Sequence, residues 1–209
     1  KVHKTASMHG FMLAIIANYC PNVNTLKYNN TTVKTVTLKG AQIPERLRNI
    51  PDAPETLYVQ GLSLEGILKN PVVAIVGSRK VDSYGTHVTQ MLASELSQKG
   101  IVIASGLALG IDAIAHRACL ENGSPSIAVL ASGIDNLTPK TNYDIAMRIL
   151  ANGAIISEND GDYSPRLYDF LIRNRLISGI AQGLIIPQAA ARSGSLNTAR
   201  HAIEQGKIV

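Results

Sequence analysis

From Pro71 to Val209 the chain repeats one unit: a short apolar run without polar alternation, a turn of small residues, then a stretch long enough for a helix. The apolar runs are Val72–Val76, Ile101–Ala104, Ser126–Leu130, Ala154–Ser157 and Gly183–Ile186. A strand with no polar side is buried on both faces, and so needs a layer above and a layer below. The intervening stretches predict helices over about Gly85–Lys99, Ala108–Glu121, Asn142–Asn152, Leu171–Ala181 and Ser195–Gln205. Gly100, Gly123 and Gly153 stand where the first three would stop. Lys207–Val209 reads as the start of a sixth strand. Strands and helices in strict alternation imply an α/β fold with a doubly wound, mostly parallel Rossmann-like sheet.

The first 66 residues read differently. Pro21-Asn22, Asn29-Asn30, Gly40, Pro44, Pro51-Asp52 and Pro54 interrupt the chain repeatedly. Thr31–Leu38 alternates β-branched and polar residues like an exposed strand, and Glu55–Gln60 reads as another. The expected division is a small N-terminal subdomain over 1–66 and the Rossmann-like domain over 67–209. Phe11–Ala17 follows Lys1 and Lys4 but has no small-residue cleavage pattern behind it, so it reads as a buried helix rather than a signal peptide. The chain starts at Lys1 and stops at Val209, shortly after Gly206-Lys207, and is expected to be part of a longer one.

Composition removes several function classes. With 45% hydrophobic and 17% charged residues, the chain has enough apolar mass to offset the entropy of ordering, which excludes disorder. Cys20 and Cys119 are too few for a disulfide scaffold or a four-cysteine zinc site. No apolar run approaches the roughly 18 residues of a membrane span, so no membrane association is expected. Sparse cysteine and no export signal point to the cytoplasm. The net charge is +5, with eight Lys/Arg against four Asp/Glu in residues 1–70 and twelve against eleven in 71–209. That surplus is too small to argue for a polyanion unless cations cluster locally.

Clustering is what the strand ends offer. Ligands of open parallel sheets bind outside the carboxyl ends of the strands. The loops there are Gly77-Ser78-Arg79-Lys80; Ser105–Asp112, with Gly106; Ser132–Asp135 leading to Pro139-Lys140-Thr141-Asn142; Ser157-Glu158 leading to Arg173-Asn174-Arg175; and Ala191-Arg192-Ser193-Gly194-Ser195. Glycine lets backbone approach a ligand closely, and amides at a helix start accept an anion. Small hydroxyls, free amides and cations on one rim describe a phosphate site. Arg173 and Arg175 diverge on a helix, so one is expected at the rim and the other bracing the sheet edge. Glu158 is expected to pair with an arginine. Asp112 and His116, four apart, share a helix face, with the histidine read as a satisfied buried residue. Tyr28, Tyr58 and Tyr163 read as half-buried packing, and Lys99 and Lys207 as solvated.

No Gly-x-Gly-x-x-Gly follows the first strand, and no Gly-x-x-x-x-Gly-Lys-Ser/Thr occurs. No Cys/His/Asp cluster has metal spacing, and no serine sits in a Gly-x-Ser-x-Gly elbow with a histidine partner. Donors and cations without an acid–base pair favour binding over catalysis.

Val73–Arg79, Tyr84-Gly85 and Ser105–His116 resemble the DNA-processing protein A family (DprA, also called Smf). Ile127–Leu130 with Gly133, Pro139–Asn142, Ile156–Glu158, Arg173–Gly179 and Ser193–Ala199 follow in that family's order and spacing, so the match spans about Ile43–Lys207. The resemblance implies an extended Rossmann-like domain that binds single-stranded DNA, protects incoming strands in natural transformation and helps load the recombinase RecA. It implies a homodimer with no metal, no cofactor and no enzymatic turnover. Carried over by motif, the DNA-contacting candidates are Gly77, Ser78, Arg79, Lys140, Asn142, Arg173, Asn174 and Arg175, with Gly106 and Ser193-Gly194-Ser195 completing the pocket floor. The sequence departs from the family pattern at Thr138, where a tyrosine is usual, at Leu171, where a proline is usual, and at Gln188, where a glutamate is usual. The winged-helix domain found in some members is not expected within these 209 residues.

Two rivals remain. Related Rossmann-like enzymes process nucleoside monophosphates with a Pro-Gly-Gly-x-Gly-Thr turn beside a glutamate; here the turn is Arg192–Thr198 and the next acidic residue is Glu204. The other rival is a recombinase-interaction module with little DNA affinity of its own.

Overall fold

The computed structural model describes residues 23–28 and 31–209, with side-chain surroundings from residue 33. The reading of Phe11–Ala17 and the side chains of Cys20 and Tyr28 lie outside what is described.

The strands are β1 (Val23–Tyr28), β2 (Thr31–Lys39), β3 (Thr56–Gly61), β4 (Val72–Ile75), β5 (Val102–Ser105), β6 (Ser126–Val129), β7 (Ala154–Ser157) and β8 (Gly183–Ile185). They form one sheet in the order β1-β2-β3-β7-β6-β5-β4-β8. The five strands from β7 to β8 are parallel, and β1, β2 and β3 are added antiparallel to the β7 edge. The expected sixth strand reduces to one parallel bridge from Ile208 to Gly183.

The helices are the single turns α1 (Glu45–Arg48) and α2 (Leu64–Ile67), then α3 (Ser83–Gln98), α4 (Ile111–Glu121), α5 (Tyr143–Asn152), α6 (Leu167–Ile180) and α7 (Gly194–Glu204). α3 starts where Asp82 accepts the Gly85 amide at 2.8 Å, a side-chain cap of the usual kind. α4 starts three residues later than its apolar pattern suggests, because Leu107 and Gly110 hold positive φ. α6 starts four residues earlier than expected, with Asp169 accepting the Arg166 amide at 2.7 Å. Its last eight residues are all buried, polar and apolar alike, so no separation into an apolar and a polar face marks the helix in the sequence.

Alternate residues of each central strand feed opposite layers. Val72, Ala74 and Val76 join Val102, Ala104, Ile127, Val129 and Ile156 beneath α6 and α7. Ile75 and Ile103 pack with Ala93 of α3 and Ile111, Ala115 and Cys119 of α4 on the other face, and Ala128 and Ile155 meet Ile145 and Ile149 of α5 there.

Residues 33–66, expected as a separate subdomain, share this sheet and this core. Ile43, Leu47, Ile50, Leu57, Val59 and Leu64 belong to the same apolar cluster as Leu176, Ile177 and Ile180 of α6. A side chain on Gly179 would press to within 2.9 Å of Ile50 and 3.2 Å of Leu47, so α6 docks there without one. The strand read as exposed buries Val33 and Thr35. Thr35 is covered because Gln60 Nε2 donates to its hydroxyl at 3.0 Å and to Asp135 at 2.8 Å.

His116 is fully buried, as expected. Ser126 gives its hydroxyl proton to the Ile103 carbonyl and so accepts from His116 Nδ1 at 2.7 Å. Nε2 is left without a partner. Burial first, and the Arg173 charge second, push its pKa down to about 3.

Leu47→Ala should cost about 2–5 kcal/mol, the range for a fully buried leucine, and should shift a single cooperative urea transition of the whole chain. A separate early transition would show that residues 33–66 fold apart. Lowering the pH from 6.5 toward 3 protonates His116 in the unfolded chain but not in the folded one, so stability should fall across that window. Burial raises the Asp112 pKa and acts in the opposite sense. The difference between wild type and His116→Gln isolates the histidine, and the variant should lose less stability on acidification.

Candidate functional site

The chain steps outward from β4 through β5, β6 and β7, then returns to place β8 on the other side of β4. α3 to α5 cover one face of the sheet, and α6 and α7 the other. The loops leaving β4 and β8 therefore part toward opposite faces, and the crevice between them is where open α/β sheets bind ligands. A cleft of about 450 Å³ opens there. One wall is the Gly77-Ser78-Arg79 loop. The opposite wall is the Ser193-Gly194-Ser195 turn with Asn174, and Arg173 and Asp112 also line the cleft. Leu167, Phe170 and Leu171 make an apolar side. A second hollow of about 130 Å³ adjoins it, lined by Arg79, Gly106, Leu109, Thr138, Pro139 and Phe170.

Arg79 is exposed, and among the described residues it pairs with no carboxylate. Its guanidinium stands 5.4 Å from the Phe170 ring centre, and that of Arg173 stands at 6.0 Å, so one ring is shared by two cations. Arg173 is buried. Its Nη1 donates to the Gly106 carbonyl at 2.9 Å and to the Val129 carbonyl, and its Nε to Asn174 at 3.3 Å. Burial pushes its pKa down to about 10, against the pull of Asp112 and helped by Arg79, so it stays charged at neutral pH. Any side chain on Gly106 would meet the guanidinium at 2.8 Å; this glycine is required by the arginine packed on it.

Asn174 donates to the Gly194 carbonyl at 3.1 Å and to Asn197 at 3.3 Å, fastening the start of α7 to α6. The Ser193 and Ser195 hydroxyls bond each other at 2.7 Å, and no side chain caps the helix. Leu196 gives its amide to the Ser193 carbonyl at 3.1 Å, and the Gly194 and Ser195 amides before it stand at the positive end of the helix dipole with no side-chain cap.

Other expected rim residues spend their polar groups internally. Ser78 gives its amide to the Gln188 carbonyl at 2.8 Å and its hydroxyl to the Lys80 carbonyl. The Gly106 and Ala108 amides go to the Asp112 carboxylate at 3.0 and 3.4 Å, which fills from within the anion nest that the glycine loop suggested. Asn142 is buried and donates to the Leu107 and Ala108 carbonyls at 2.9 and 3.0 Å; it staples the loop in which Leu107 holds φ 57°. Arg175 makes a two-pronged ion pair with Glu158, both contacts at 2.7 Å. The helix thus separates the two arginines, with Arg173 in the cleft and Arg175 as the brace. Lys140 is exposed beside Pro139, which shares the second hollow with Arg79.

The apolar side of the cleft is not legible in the sequence: Leu167 and Phe170 precede the expected start of α6, so no helix presents them. Asp112 lies in a strand-end loop and by spacing faces His116, four residues on, whereas in the fold its partners are the amides four and six residues before it. Gln188 stands out in the sequence only as a departure from the family pattern; in the fold it touches both ends of the Ser78–Asp82 segment.

Residues 34–209 match the family model described as DNA recombination-mediator protein A. DNA processing protein DprA of Bacillus subtilis is 35% identical over 182 residues, which is 87% of this chain and 61% of that one. Protein Smf of Escherichia coli is 41% identical over 167 residues, 79% of this chain and 44% of that one. The chain thus spans between about two fifths and three fifths of the length of these relatives. The structure of DNA processing protein A from Helicobacter pylori, described for its single-stranded DNA binding mode, superposes with a TM-score of 0.76 at 37% identity over 83% of this chain and 78% of that one. With the Rossmann-like fold, the switch-point cleft and a family match over most of its length, the chain belongs to the DNA recombination-mediator protein A family.

Proposed function

We propose that this chain binds single-stranded DNA in the cleft between the loops after β4 and β8, without enzymatic turnover, as a DNA-processing and recombination mediator in the cytoplasm. The homodimer and the hand-over of the strand to the recombinase RecA belong to the same reading, as do protection of incoming DNA and natural transformation. The observation that carries it is the pairing of Arg79 and Arg173 across one aromatic ring beside uncapped α7 amides. Cations and amides suit phosphates, and Phe170, Leu167 and Leu171 suit the faces of unpaired bases. A duplex hides those faces in its own stack. Lys140 extends the cationic rim toward the second hollow.

Support for binding over turnover comes from the position of the acid. The nucleoside-monophosphate reading requires a glutamate beside the Arg192–Thr198 turn, and the next acidic residue after it, Glu204, lies at the far end of α7 and pairs with Arg200 at 3.5 Å.

A labelled single-stranded oligomer should bind in preference to duplex competitor. Three cations imply a slope of log affinity against log salt of about −2, at about −0.7 per phosphate. Arg79→Ala should cost about 1–3 kcal/mol and flatten the slope toward about −1.4. An unchanged affinity and slope for Arg79→Ala would move the strand out of this cleft. Base release from a nucleoside monophosphate, seen by chromatography, would favour the enzyme.

A further inference from the structure

The segment Ser78–Asp82, which carries Arg79 and Lys80, is held at both ends by one residue of another strand's exit. Gln188 accepts the Ser78 amide on its backbone carbonyl at 2.8 Å. Its side-chain Oε1 accepts the Asp82 amide at 3.3 Å, and its Nε2 donates to Asp82 Oδ2 at 2.9 Å. The other Asp82 oxygen caps α3. Two glycines make room for this strap. A side chain on Gly77 would meet the Gln188 carbonyl at 2.6 Å, and one on Gly85 would collide with Gln188 Oε1. The bonding pattern needs an amide at 188, because one atom must accept from the Asp82 backbone while the other donates to the Asp82 carboxylate.

We propose that Gln188 is the positioning residue for the Arg79 loop, strapping the exit of β4 to the exit of β8 through its reciprocal pair with Asp82 and so setting the spacing of the two cleft walls. The proposal rests on the reading of the cleft as the strand-binding site, but the strap itself exists in the free chain. A carboxylate at 188 would lose the donor and face Asp82 with like charge. Exchanging both partners, so that the acid stands at 188 and the amide at 82, restores one donor and one acceptor and leaves the α3 cap in place.

Two measurements on the 209-residue chain test this: amide hydrogen exchange at Ser78 and its neighbours in the free chain, and anisotropy of a labelled single-stranded oligomer. Gln188→Glu should speed exchange in the loop and weaken binding about tenfold, the scale of a lost donor left facing a charge. Asp82→Asn/Gln188→Glu should recover both to within about threefold, which a merely bulk-structural role would not give. Core amides of β5 serve as the folding control. Loop exchange unchanged in Gln188→Glu, or a double variant no better than the single, overturns the proposal. If the wild-type chain binds no oligomer while exchange follows the expected pattern, the strap stands and the DNA reading fails.

Discussion

The cleft depends on one buried cation. Arg173 reaches from α6 across the carboxyl ends of the strands and ties three elements to itself: the loop after β5 through Gly106, the end of β6 through Val129, and the start of α7 through Asn174. An unpaired guanidinium at that depth would be very costly. Here two carbonyls, an amide oxygen and the nearby Asp112 charge offset the loss of water. Asp112 is in turn held by amides of the loop whose carbonyl Arg173 takes. The two charges thus fix the loop from opposite sides, and neither would be tolerated alone.

This arrangement prepares the cleft before any ligand arrives. The desolvation of Arg173 is a cost of folding, so a phosphate meeting it finds a cation already placed and already stripped of water. Arg79 is the complement, exposed and steered by the Phe170 ring rather than by a carboxylate.

The parallel half of the fold was legible because its strands carry no polar side, and burial on both faces admits few architectures. The antiparallel extension was not. β2 and β3 look like strands of a small separate unit, but the antiparallel pairing of β3 with β7 places them in the common sheet, and Leu57 and Val59 of β3 with Leu47 packed against α6 place them in the common core. In the cleft, residues of the right type were found by strand-end position, but position does not say where a polar group points. Ser78, Gly106 and Asn142 lie at the strand ends and bond inward. The pairing of Arg175 with Glu158 was legible because two arginines two apart on a helix must diverge, and a strand-end acid lay opposite one of them.

The apolar side of the cleft comes from the start of α6. That helix begins at Leu167, with Asp169 closing its start on the Arg166 amide, so Leu167, Phe170 and Leu171 line the cleft from its first turns. A proline at 171 would lack the amide that a helix bonds to the carbonyl four residues back, and its ring would crowd that carbonyl; a leucine there permits the helix to run back to Leu167. The apolar wall of the cleft and its buried cation, Arg173, thus come from one helix, and whatever fixes the start of α6 fixes both.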